Sequence, residues 1–116
     1  METYMSENQY KEDARKALTY WRTPLGFKEW SVSLRFVKMK NEDGKNYWSA
    51  KRKEMKIICD PTSKHEPEFM ILHELLHPFL DSNNSTTDML DFLIEGFIDD
   101  MAKMLITIRK NQGHKL

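Results

Sequence analysis

With 116 residues, 18 basic and 18 acidic side chains and hence no net charge, the chain lacks the basic field that nucleic acid or an anionic membrane would select. Its length predicts one small domain over residues 1–116. A single cysteine, Cys59, excludes an internal disulfide and reads as a small buried hydrophobe; a polar N-terminal stretch and no bilayer-length apolar run predict a soluble, cytoplasmic protein.

In chain order, Ser6 and Gln9 have the spacing of a capping box, and Tyr10, Ala14, Ala17, Leu18 and Trp21 then recur at helical intervals. A first helix over about 7–22 is expected, stopped by Thr23, Pro24 and Gly26 and covering one face of a sheet. From Trp30 the apolar period becomes two, through Val32, Leu34 and Phe36, which predicts a half-buried strand. Residues 41–44 predict a turn, since Asp43-Gly44 readily takes positive φ. Further strands are expected over about 46–52 and 55–59, the last ended by Asp60-Pro61. The basic residues Lys51, Arg52, Lys53 and Lys56 read as a solvated strand face rather than a nucleic-acid patch.

Pro67 suits the first turn of a second helix, in which His73, Glu74, Leu75, Leu76 and His77 form an H-E-x-x-H run. Residues four apart share a helix face, so His73 and His77 can offer two imidazole nitrogens to one ion. Glu74 lies about 100° round the helix, where its carboxylate can reach a water held by that ion. The helix is apolar nearly all round, which predicts burial, and buried imidazoles and a carboxylate need a partner such as a cation. Pro78 removes the N–H that would bond the Glu74 carbonyl, so the helix is expected to bend or end just after His77. Residues 81–85 predict a polar loop.

The last helix, from about Thr86 or Thr87 to Arg109, places Leu90, Leu93, Phe97, Met101, Met104 and Ile108 on an expected core stripe. Catalytic zinc usually takes three protein ligands, and this helix aligns Asp88, Asp91, Glu95 and Asp99. Glu95 is favoured over Asp91 as the third ligand because Asp99, one turn on, can accept the second ring N–H of a ligating His. Gly96 reads as a point where two helix backbones approach closely. The tail, residues 111–116, has no periodicity and is expected to be mobile unless it docks.

The run from His73 to His77, followed by Glu95-Gly96-Phe97-Ile98-Asp99, resembles the gluzincin metallopeptidase pattern, H-E-x-x-H and a later E-x-x-x-D. That resemblance implies His73, His77 and Glu95 as zinc ligands, Glu74 as general base and acid, and Asp99 as the partner of His73. It spans residues 73–99. The size and the α+β order of N-terminal helix, three-stranded sheet, metal-site helix and glutamate helix look like the minigluzincins, minimal scaffolds similar to the catalytic domains of integral membrane metallopeptidases. The resemblance implies zinc-dependent endopeptidase activity on an extended peptide or protein substrate, laid along a sheet edge for which 47–52 is the candidate. It also implies latency, with a terminal segment in the cleft: His114 is a candidate fourth zinc ligand, and residues 1–6 are the alternative plug. Larger gluzincins take an oxyanion donor from a downstream subdomain; Tyr47, His65 and His114 are candidate substitutes here. The rival expectations are a non-catalytic domain, in which a structural zinc supports a protein-binding surface, and a metal-free binding module.

Overall fold

The structure, a computed structural model, describes residues 5–80 and 88–116. It is an α+β fold: α1 (Glu7–Trp21), β1 (Ser31–Phe36), β2 (Gly44–Ser49), β3 (Glu54–Cys59), α2 (Pro67–Leu80) and α3 (Asp88–Asn111). The loop expected over 81–85 and the exact start of the last helix lie outside the described residues.

Ser6 caps α1 by accepting from the Gln9 backbone N–H at 3.1 Å, but the Gln9 side chain donates forward to Asp13 instead of back, so only half of the capping box forms. Tyr10, Ala14, Ala17, Leu18 and Trp21 are buried as the spacing predicts. Their main neighbour is α2 rather than the sheet, which α1 reaches through the Tyr10 ring, set edge-on to Phe36. A helix already apolar on all sides offers α1 more surface than a sheet face that α2 also needs.

The strand order is β1-β3-β2, with β1 parallel and β2 antiparallel to β3. Alternation holds: Val32, Leu34 and Phe36 of β1 and the buried Met55, Ile57 and Cys59 of β3 face the core. β2 begins at Gly44, earlier than expected, and stops at Ser49. Lys51, Arg52 and Lys53 therefore sit in the exposed turn before β3, where Lys53 takes a φ of 53°. Gly44 is a strand residue and not a positive-φ turn residue: a Cβ there would stand 3.1 Å from the Ile58 carbonyl oxygen and from Met70 Cε, and 3.3 Å from Glu74 Oε1. The glycine permits a close approach of β2 to α2.

α2 is the hub. It packs against α1, α3, β2 and β3, and Met70, Ile71, Leu72, Leu75 and Leu76 are all buried. It continues through Pro78 to Leu80, so the helix outlasts the second histidine. Proline is tolerated in this last turn because the carbonyl it leaves open finds another donor, described below.

α3 turns a different face inward from the one expected. Of the expected stripe, Met101 is partly buried against the core, but Leu93, Phe97, Met104 and Ile108 are between 44 and 60% exposed, whereas Ile98 and Ala102 are fully buried; the Leu90 side chain lies outside the described residues. Both faces of α3 carry apolar residues, and the one that also bears Glu95 and Asp99 packs on α2. Ala102 lets the two helices draw together. Gly96 is not at that crossing, since a Cβ there would meet nothing within 4 Å.

At its far end α3 is fixed by a buried ion pair. Arg109 Nε and Nη2 each donate to the Glu68 carboxylate at 2.6 Å, and Trp21 Nε1 donates to the same carboxylate at 2.8 Å. The tail docks here rather than moving freely: Gly113, at φ 74°, closes a Schellman turn in which the N–H of His114 bonds the Arg109 carbonyl and that of Gly113 bonds the Lys110 carbonyl. Arg109 Nη1 in turn donates to the His114 carbonyl.

Candidate metal centre

Helical spacing brings His73 and His77 one turn apart on the face of α2 that meets α3, with ring centroids 4.9 Å apart and Nε2 atoms 3.2 Å apart. From α3, the Glu95 carboxylate closes on both, 2.9 Å from His73 Nε2 and 3.3 Å from His77 Nε2. Asp99, one turn further, lies 2.8 Å from His73 Nδ1. A carboxylate only accepts, so a proton on His73 Nδ1 meets that contact, and in this tautomer the Nε2 lone pair faces Glu95 and His77. Atoms that all offer lone pairs repel one another at such distances unless a proton or cation lies between them.

The spacing fits a small tetrahedral cation. With ligand bonds of about 2.0–2.1 Å to nitrogen or oxygen, the edges of a zinc tetrahedron measure about 3.3 Å. The two imidazole Nε2 atoms, 3.2 Å apart, lie close to that length, and the Glu95 carboxylate spans them with one oxygen on each, Oε2 at 2.9 Å from His73 and Oε1 at 3.3 Å from His77. His73 and His77 side chains are 14% exposed and that of Glu95 is 50% exposed, so one side of the group opens to solvent. Asp91, the alternative third ligand, is an exposed residue one turn before Glu95.

Glu74 occupies the other side of the group. It is only 4% exposed, and its carboxylate joins His73 and His77 in a set of donor atoms all within 4.8 Å of one another. It lines a cleft of about 420 Å³ together with His73, His77 and Glu95, walled opposite by Gly44, Lys45, Asn46, Tyr47 and Trp48 of β2. Among the described residues β2 pairs with β3 alone, which leaves its other edge unpaired there. Of the 47–52 segment expected to receive a substrate strand, residues 47–49 belong to that edge. A smaller hollow of about 140 Å³ adjoins, lined by Asp43, His65, Phe69, His73 and Glu74, with His65 Nε2 3.6 Å from the Asp43 carboxylate.

Among the three candidate oxyanion donors, Tyr47 and His65 thus border the site and His114 does not. His114 Nδ1 is 3.0 Å from the Tyr20 hydroxyl at the Arg109 end of α3, which corrects its reading as a fourth ligand. The Schellman turn carries the tail toward α1, away from the imidazoles. The alternative plug, residues 1–6, lies mostly outside the described residues. Cys59 is fully buried, and burial followed by the nearby Glu74 charge pushes its thiol up to about 12, so it stays protonated and unreactive as expected. Sequence reasoning missed Glu68, Gly44 and Asn46, which act only through partners distant in the chain. The missing N–H of Pro78, which withholds the helical donor from the Glu74 carbonyl, was the one local signal that pointed toward Asn46.

Comparisons with protein-family models, with characterised proteins and with solved structures find no match to this chain. Among the described residues, no helix is long and apolar enough to cross a membrane.

Proposed function

We propose that the protein is a zinc-dependent endopeptidase of the gluzincin type, close in plan to the minigluzincins. The observation that carries this reading is the convergence of the Glu95 carboxylate on the paired Nε2 atoms of His73 and His77, with Asp99 on the far nitrogen of His73. A zinc ion held there supplies a Lewis acid that polarises a peptide carbonyl and brings the pKa of water to about 7. The chain's own residues do the rest. Asp99 holds His73 in the tautomer that presents Nε2. Glu74, shielded by β2 beside the imidazoles, takes a proton from the attacking water and returns it to the leaving amine. The open edge of β2 offers backbone N–H and C=O groups to an extended peptide, so the scissile bond lies over Glu74.

The test pairs metal analysis with digestion of a peptide library by the wild type and Glu74→Gln. Equimolar zinc in both, with cleavage lowered about 10²–10⁴-fold in the variant, is the expected result. Zinc retained without cleavage by the wild type would transfer the site to a structural role beneath a protein-binding surface, and no zinc at all would end both readings.

A further inference from the structure

Pro78 creates a defect in α2 that another part of the chain has to meet. In an α-helix the N–H of residue 78 bonds the carbonyl of residue 74; proline has no N–H, so the Glu74 carbonyl loses its helical donor. The defect falls between the two imidazoles and on the residue whose carboxylate faces the cleft. The donor comes from outside the helix: Asn46 Nδ2 donates to the Glu74 carbonyl oxygen at 2.7 Å. A carbonyl only accepts, so the orientation of the Asn46 amide is fixed. Its Oδ1 is buried and has no partner among the described residues. Asparagine at this position carries that unmet acceptor, which an apolar side chain would avoid.

We infer that Asn46 is a positioning residue: from the edge strand it supplies the hydrogen bond that Pro78 withholds from α2, and so sets the height of β2 over His73, Glu74 and His77. Asn46 pairs with Ile57 in the middle of β2, two residues after Gly44, whose missing Cβ allows the strand to touch Met70 and Glu74. The strand is thus held on α2 at neighbouring points, one by shape and one by hydrogen bonding. The consequence for catalysis rests on the metallopeptidase reading, whereas the exchange of one bond for another between positions 46 and 78 does not.

The experiment is a cycle in the full chain of Asn46→Ala, Pro78→Ala and the double variant, with Asn46→Asp as a variant of the same shape that lacks the donor. Alanine at position 78 restores the helical N–H. Asn46→Ala is expected to lower Tm by about 4 °C or more beside Pro78, and by less than half as much beside alanine. Asn46→Asp, which loses the donor and sets a carboxylate against the Glu74 carbonyl oxygen, should lower Tm at least as much as Asn46→Ala beside Pro78. In the same variants kcat should fall about tenfold with KM changed less than about threefold, and Pro78→Ala should restore part of the lost kcat; a purely structural role would leave kcat of the folded fraction unchanged. Equal Tm losses in both backgrounds would overturn the proposal, as would an unchanged kcat in an Asn46→Ala protein that binds zinc. Should Asn46→Ala fail to fold, recovery by Pro78→Ala supports the proposal and failure of the double variant overturns it. A wild type that holds no zinc and cleaves nothing removes the peptidase reading alone, and the Tm cycle still decides whether Asn46 replaces the missing bond.

Discussion

α2 and α3 meet at two polar clusters that handle carboxylate charge in opposite ways. At one end Glu68 is buried and fully answered, by a bidentate guanidinium from Arg109 and by the indole N–H of Trp21. At the other, Glu95 faces two imidazole nitrogens and the cluster is half open to solvent. The first is complete within the chain, because the charges cancel and the donors and acceptors match. The second joins two imidazoles and a half-exposed carboxylate beside a solvent-open cleft. One serves as an anchor, and the other is where the proposed zinc would sit.

The largest expected effect breaks the anchor. Arg109→Met leaves the Glu68 charge buried without its partner and should cost about 3–5 kcal/mol in denaturant unfolding, most of it regained in Glu68→Gln/Arg109→Met, where Gln still accepts from Trp21. Equal losses in the single and double variants would deny the anchor role. At the open cluster the cost nearly vanishes: Glu95→Ala in metal-free protein should change stability by less than about 0.5 kcal/mol, since the side chain is half exposed. Zinc at a hundred times its Kd should stabilise the wild type by about 2.7 kcal/mol, and Glu95→Ala should lose most of that increment. Thermal scans with zinc and with a chelator check both points.

A third carboxylate sharpens the contrast. Burial pushes the Asp60 carboxyl up, but hydrogen bonds donated by the Thr62 hydroxyl, the Met39 N–H and the Thr62 N–H outweigh it and hold it below the usual range. A carboxyl lowered on folding stabilises above its unfolded pKa of about 3.9, and the gain is lost as the pH falls through the lower folded value. Asp60→Asn should therefore cost about 1–3 kcal/mol at pH 7 and flatten the loss of stability below about pH 4, as a pH series of unfolding curves can show. The last effect is a gain. Gly96→Ala, beside Glu95 on open helix surface, should stabilise by about 0.5–1 kcal/mol, measurable as a raised Tm.

Local chemistry was legible in the sequence wherever spacing alone decides it. Four-residue separation places His73 over His77, and period two sorts Val32 and Leu34 from Ser31 and Ser33, whatever the rest of the chain does. The meeting of Glu95 with the imidazoles was also anticipated, from the aligned acidic stripe of the last helix and its likeness to an E-x-x-x-D pattern. What escaped depends on tertiary choice. Nothing in β1 says that it runs parallel to β3 with β2 outside, and nothing in Glu68 points to Arg109. On α3 two apolar stripes compete, and the larger side chains of Leu93, Phe97 and Met104 were the natural choice for the core. The contest was won by the face bearing Ile98 and Ala102, which share the helix side of Glu95 and Asp99 and pack on α2. Gly44 misled for a related reason: its value lies in what α2 brings near it, which no turn propensity encodes.

The distance between the two clusters turns α3 into a lever. Arg109 and Glu95 are 14 residues apart on one helix, which at about 1.5 Å per residue makes an arm of about 21 Å. A swing of about 5° around a loosened Arg109 would carry the Glu95 carboxylate nearly 2 Å sideways, as far as a whole metal–ligand bond. The fidelity of the imidazole end is thus set by the stiffness of a fulcrum that never touches it, and damage at the fulcrum should be read out first as a displaced Glu95 carboxylate.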